Sequence, residues 1–379
     1  MFGVPVAIKE ELDVAGMVTT FGTTANERLA VADSAAVARL RAAGAVVVGK
    51  THMPEFGQGP FTDGPWGATV NPFDATRSPG GSSGGSAVAV ASGMVPIALG
   101  GDAGGSVRIP AAWCGIVGLK PSRGVVPTAP YPNLWHDLGT YGPLARTVDD
   151  VELLLDVIGD PAPPRAWVSS AEGLPSGLRV GWTLGCSLPG IRPEREVADA
   201  VARAGATLAS DGHEVSHGSV RWRRQPLAFL VQFYRGVLDE VGRLDHPDRI
   251  ERGSRETAEL GRRIPDAALR WALRESDRMA NDMARLFTRL DVLLTPVTPM
   301  LPPPVPRLWE RGTLASQWVS TPAISFTNHW NLAGNPAASV PVGLSAEGLP
   351  LAVQVIGAHG TDRLVLAVAR RLAEEARPD

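Results

Sequence analysis

The stretch SPGGSSGGSA, Ser78 to Ala87, has the composition of a flexible linker, yet it runs directly into the apolar segment AVAVASG, Ala87 to Gly93. A linker joins two folded units and does not lead straight into a small-residue helix. A phosphate-cradling loop would need a lysine and a serine or threonine after the glycines, and both are missing here. The pattern G-x-S-x-G fits twice, at Gly80-x-Ser82-x-Gly84 and Gly81-x-Ser83-x-Gly85. A nucleophile elbow needs a buried strand immediately before it, and the preceding NPFDATRSP cannot be that strand.

A second glycine stretch follows, GGDAGGSVRIP, Gly100 to Pro110. Ser106 ends a run with almost no side chains, in which consecutive backbone N–H groups can converge on one spot. That is how an anion site forms without donor side chains. Alone, such a run is only a glycine turn.

Of the 36 basic residues only three are lysines: Lys9, Lys50 and Lys120. Such a bias usually reflects a GC-rich genome, but arginine cannot be deprotonated whereas lysine can. Lys9 ends the apolar run VPVAI, Val4 to Ile8. Lys50 and Lys120 read as structural. No histidine sits in a plausible triad order, and a serine nucleophile can use a neutral lysine as its base.

The bulk numbers exclude several classes. With 379 residues, 44% apolar and 20% charged, the chain can build a large core without disulfide or metal staples. A net charge of −3 gives no footprint for nucleic acid and no basic face for a membrane. The two cysteines, Cys114 and Cys186, are no disulfide framework and fit a reducing compartment. MFGVPVAIKEELDV is not a signal peptide, and the run Ala87 to Leu99 is broken by Ser92, Gly93 and Pro96. A cytoplasmic protein is expected. HEVSH, His213 to His217, fits H-E-x-x-H, but it reads as a strand or loop, where the histidines stand about 13 Å apart. Zinc bonds of about 2 Å cannot bridge that. No metal and no cofactor is expected.

The pattern predicts strands at VPVAI, AVVVG (Ala45–Gly49), VPIALG, LRVGWT (Leu178–Thr183), DVLLTP, AASVPVGL and LAVQVIG. Helices are predicted over DSAAVARLRAAG, with Asp33 as N-cap and Gly44 as stop, and over Ser86–Gly93. Further helices are TVDDVELLLDVIG, opened by a Thr147–Asp150 capping box, then PEREVADAVARAGATLAS, most of 225–290, and the C-terminal RLVLAVARRLAEEA. Residues 51–80 read as a long functional loop. Alternating strands and helices argue an α/β fold with a central mixed β-sheet covered by helices on both sides. The expectation is a single domain, 1–379, with a variable helical middle at about 156–290.

GVPVAIKE, GKTHMPEFG, NPFDATRSPGGSSGGSAVAVASG, GGDAGGSVRIPAAWCGIVGLKPSRG, GPLARTVDD and NLAGNPAASVPVGL…GLPLAVQVIG together resemble the amidase signature family over nearly the whole chain except the middle. The Gly-Gly-Ser-Ser motif with a further serine 24 residues after its first is the specific part. The resemblance implies a Ser–cis-Ser–Lys triad: Lys9 as base, Ser82 as bridging serine after a cis peptide, and Ser106 as nucleophile. It implies oxyanion donors from the backbone of Ala103, Gly104, Gly105 and Ser106. Ser83 would support the turn and Asp102 would order it. Arg108 reads as a tie to backbone carbonyls, with a substrate contact as the alternative. Tyr131 and Trp135, in PTAPYPNLWHDLGTYG, are candidates for an acyl pocket.

The chain departs from the family pattern at His52, where asparagine is common, and at Gly101, where threonine is common. The family's helical segment before the lysine strand is also missing, so a truncated chain or a misassigned start is expected. The function expected is hydrolysis of a small carboxamide to a carboxylic acid and ammonia or an amine through a Ser106 acyl-enzyme. The alternatives are the amidase component of a glutamine-dependent tRNA amidotransferase, and a truncated inactive relative. The expected partner is the small amide substrate, with a homodimer possible.

Overall fold

The computed structural model describes residues 1–131, 133–160, 173–218, 220, 222, 226–305 and 311–375. The chain first forms β1 (Pro5–Lys9), α1 (Ala35–Ala42), β2 (Val46–Thr51), the short pair β3 (Asp63–Gly64) and β4 (Gly67–Ala68), α2 (Gly84–Ala91) and β5 (Ile97–Asp102). Next come α3 (Arg108–Trp113), β6 (Val117–Lys120), β7 (Thr140–Ala145), α4 (Val148–Ile158), β8 (Arg179–Trp182), α5 (Arg195–Ser210) and β9 (Glu214–His217). Helices α6 (Pro226–Val241), α7 (Arg252–Arg263) and α8 (Asp266–Leu286) precede β10 (Val292–Pro296). The last elements are α9 (Thr313–Ile324), α10 (Asn328–Ala333), β11 (Ala337–Leu344), β12 (Pro350–Gly357) and α11 (Asp362–Glu375).

Ten strands make one mixed sheet in the order β2-β1-β5-β7-β6-β11-β12-β10-β8-β9. β1 runs parallel to β2 and β5, while β7, β6, β11 and β12 alternate antiparallel. Successive side chains of a strand point to opposite faces, and the core divides accordingly. Val6, Ile8, Ile97 and Leu99 join the large cluster that includes Val37 and Leu40 of α1 and Val151 and Leu154 of α4. Ala7 and Ala98 face the other way, against Ala87 and Val90 of α2.

That second face positions the site. Alanines on the strands and a helix made of GGSAVAVA let α2 sit close to the sheet. Lys9 shares its face with Ala7, and it is the last residue of β1, as Asp102 is of β5. Crevices beyond the carboxyl ends of parallel strands are where α/β sheets bind ligands.

The predicted elements appear with shifted ends. The cap of α1 is Ser34 rather than Asp33. The Asp33 carboxylate is drawn off by the backbone N–H of Ala15, at 2.8 Å, and by Arg41. The Thr147 box is present, with Thr147 Oγ1 accepting from Asp150 N at 3.1 Å. The 51–80 loop contains a 3-10 turn, Glu55–Gly57, and the β3–β4 pair. The middle of the chain supplies α5 to α8 and also the sheet strands β8 and β9. His213 precedes β9, and His217 ends it, so the H-E-x-x-H match is extended chain, as its sequence reads. His213 Nδ1 accepts from Leu178 N, and His217 packs on Trp182.

Candidate active site

Lys9 is buried, with 1% of its surface exposed. Its Nζ donates to Ser82 Oγ at 2.9 Å and to the Gly101 carbonyl at 3.3 Å, and lies 3.2 Å from Glu11 Oε1. Burial pushes the amine's pKa down from its ordinary value, while the Glu11 and Asp102 carboxylates pull it back up. The Gly81–Ser82 peptide is cis. A Cβ on Gly81 would stand 2.6 Å from Phe61 N, so this close approach of two backbones requires glycine.

Ser83 ties the two glycine stretches together. Its Oγ donates to Gly101 O at 3.1 Å and accepts from Gly101 N at 3.3 Å. Its backbone N–H donates to the Ser106 carbonyl at 3.1 Å. Ser82 and Ser106 are thereby brought to one small inner cavity of about 20 Å³, together with Lys9 and Glu11.

The Ser106 turn is built around Asp102 and Arg108, both buried. Asp102 accepts from Gly105 N at 2.8 Å and Val107 N at 3.1 Å. All five N–H donors of Arg108 are used. Nε and Nη2 reach Asp102, Nη1 reaches Thr327 O and Gln354 Oε1, and Nη2 also reaches Asn331 Oδ1. No donor is left unused, but only one goes to a backbone carbonyl, Thr327 O; the tie expected to carbonyls runs chiefly to the side chains of Asp102, Gln354 and Asn331. Although burial opposes ionisation, Arg108 and Asn331 hold the Asp102 carboxyl well below the usual carboxylate range. Of the four expected oxyanion donors, the Gly105 N–H is taken by Asp102. Among the described residues nothing accepts from the N–H groups of Ala103, Gly104 and Ser106.

Ser106 is only partly buried and faces two spaces. Besides the inner cavity it lines an outer cavity of about 190 Å³. Ile109, Phe229, Phe233 and Ile324 give that cavity an apolar wall, and Gln317, Ser320, Thr321 and Asn328 a polar one. Trp135 lines the inner cavity beside Leu134 and Phe233. Tyr131 lines neither cavity; its hydroxyl donates to Asp13 Oδ2 at 3.3 Å and its ring lies under Arg243. His52 is outside both cavities, its Nδ1 paired with Thr69 Oγ1 at 2.9 Å.

All three lysines point inward. Lys50 Nζ donates to Val18 O at 3.0 Å, and Lys120 Nζ to Pro121 O at 2.9 Å. Sequence reasoning missed Glu11, Thr327, Asn331 and Gln354. The last two lie within NLAGN and LAVQVIG, segments with a family resemblance but no role assigned to a side chain.

Comparison with known proteins identifies the family and agrees with the fold. The family described as Amidase matches residues 1–366. A Mycobacterium tuberculosis protein named "Putative amidase AmiB2" is 39% identical over 383 residues, covering 100% of this chain and 82% of that one. A glutamyl-tRNA(Gln) amidotransferase component of Symbiobacterium thermophilum is 36% identical, covering 97% of this chain and 81% of its own. Among solved structures, 6-aminohexanoate cyclic dimer hydrolase superposes with a TM-score of 0.91 at 32% identity, covering 99% of this chain and 85% of that one.

Proposed function

Because the chain belongs to the Amidase family of amide-hydrolysing enzymes, we propose that it hydrolyses a small carboxamide through an acyl-enzyme on Ser106. The observation that carries this reading is the buried 2.9 Å contact from Lys9 Nζ to Ser82 Oγ, at a cavity that Ser106 shares.

In the proposed cycle neutral Lys9 takes the proton of Ser82, and Ser82 takes that of Ser106. Ser106 Oγ attacks the amide carbonyl. The oxyanion is met by the backbone N–H groups of Ala103, Gly104 and Ser106, each worth about 3 kcal/mol in rate by analogy with measured donors. The proton returns through Ser82 to the leaving amine as the C–N bond breaks. Water then repeats the sequence on the ester and releases the acid. A lysine titrates near 10.4 in water, and burial lowers the pKa of Lys9 from that range, which raises the share of neutral amine near neutral pH. The apolar and polar walls of the outer cavity suit an acyl group with an apolar body and a polar end.

A serine-directed fluorophosphonate tests the reading, with the adduct mapped by peptide mass spectrometry on a sample shown by circular dichroism to be folded. The expected adduct is on Ser106, and it is lost in Lys9→Ala. An adduct on Ser82 or Ser83 overturns the assignment of roles, and a folded protein with no adduct overturns the activity. A second reading, the amidase component of a tRNA amidotransferase, rests on the 36% identity to the Symbiobacterium protein. Turnover of a small amide by the isolated chain favours the first reading, and dependence on co-purifying partner proteins favours the second.

A further inference from the structure

Glu11 has no part in the triad, yet it is buried to 8% exposure in the loop that follows β1. Its Oε1 lies 3.2 Å from Lys9 Nζ, and its side chain lines the same inner cavity as Lys9, Ser82 and Ser106. Against that carboxylate stands Gly101. A Cβ built on Gly101 would overlap Glu11 Oε1. Gly101 has no positive φ to account for its glycine, so the space its missing side chain leaves is the space the carboxylate fills. The Gly101 carbonyl also accepts from Lys9 Nζ, at 3.3 Å. Base, carboxylate and glycine therefore form one contact unit.

We propose that Glu11 is a positioning residue for this reaction: its carboxylate fixes Lys9 Nζ against Ser82 and favours the ammonium that forms when the base takes a proton, and Gly101 is glycine to admit it. The proposal rests on the reading of Lys9 as the base. With two acceptors, Glu11 Oε1 and Gly101 O, besides Ser82, Nζ has a partner for each of its three donors when charged. An opposite charge within about 4 Å stabilises the charged form by roughly 1–3 pH units in typical sites. Glu11 therefore works against burial, and it delays loss of the proton from Lys9 as pH rises.

Other charges reach this pair. Asp102 at the end of β5 also acts on Lys9, and beyond it stand Arg108 on α3 and Lys120 on β6. Lys50 on β2, Tyr141 on β7 and Glu240 on α6 feel the charge of Glu11. An isosteric change at Glu11 also alters the field at those three groups, but none of them lines the inner cavity or touches Lys9 Nζ.

The test is the rate at which a fluorophosphonate labels Ser106 as a function of pH, which needs no knowledge of the natural substrate. In Glu11→Gln the acidic limb is expected to move to lower pH by about one unit. Gly101→Ala, which pushes the carboxylate off Nζ, is expected to move it the same way. Adding Gly101→Ala to Glu11→Gln is expected to give no further shift, because the contact is already gone. Glu11→Asp, which keeps the charge, is expected to hold the limb near its original position. A limb in Glu11→Gln that stays in place or moves upward, with Lys9→Ala unlabelled, overturns the role of Glu11. A Lys9→Ala variant that labels as fast as the parent protein shows instead that the base is misassigned, and the proposal falls with it.

Discussion

Asp102 and Arg108 clasp each other across the turn that carries Ser106, with Arg108 Nε on Asp102 Oδ2 at 2.9 Å and Nη2 on Oδ1 at 2.8 Å, both side chains fully buried. The pair fixes the turn, with Asp102 accepting from Gly105 N and Val107 N. Asp102→Ala leaves a guanidinium buried without its counter-ion and is expected to cost about 3–5 kcal/mol of stability, read from the urea midpoint. The pKa of Asp102 is depressed in the folded chain. Its contribution is therefore full above the unfolded carboxylate value near 3.9 and is lost as pH falls below it. The acid limb of a stability–pH curve is expected to flatten in Asp102→Asn.

Lys9→Arg is expected to abolish Ser106 labelling as completely as Lys9→Ala. Arginine keeps the charge and much of the length but cannot give up a proton in a protein. Near-normal labelling of the arginine variant, with unchanged circular dichroism, is the result that removes Lys9 from the base role.

Lys120 offers a pH test apart from the chemistry. Burial and the nearby Arg108 push its pKa down to about 7 from an ordinary value of 10.5. Between those values the unfolded chain holds a proton that the folded chain has released. Stability from this group therefore rises with pH through that window, by at most about 1.4 kcal/mol per pH unit. Lys120→Met removes the rise, so the parent is expected to gain stability over the variant as pH increases from neutral. Urea unfolding at neutral and alkaline pH measures it.

The Thr147 cap of α4 is remote from both cavities. Thr147→Ala is expected to lower stability by about 1 kcal/mol and to leave the labelling rate of Ser106 unchanged. A change in that rate would reveal coupling between α4 and the site, for which the packing of α4 gives no reason.

The layers of the fold were legible because apolar runs and capped amphipathic helices follow the two structural periods in VPVAI, VPIALG and TVDDVELLLDVIG. The glycine stretches were legible as turns, and the lysine stood out because the chain has so few. What stayed hidden depends on long-range contact. Nothing local in the sequence marks Asn331 or Gln354, since their partner Arg108 lies more than two hundred residues away. The commitment of the Gly105 N–H to Asp102 depends on how the turn closes, and glycine sequence leaves that open. Tyr131 and Trp135 are four residues apart in an aromatic stretch. The backbone sends one to Asp13 and the other to the inner cavity, and composition cannot separate them.

The inward placement of Lys9, Lys50 and Lys120 has a practical corollary. The side chains of Lys9 and Lys50 are 1% and 3% exposed, and Lys120 is 1% exposed. Acylating reagents that seek ε-amines therefore find none on the native surface, and lysine modification becomes a report of how often the interior opens. The three sites lie at the end of β1, near the end of β2 and at the end of β6. The order in which they are modified would time the breathing of the sheet strand by strand, with Lys9 itself as one of the clocks.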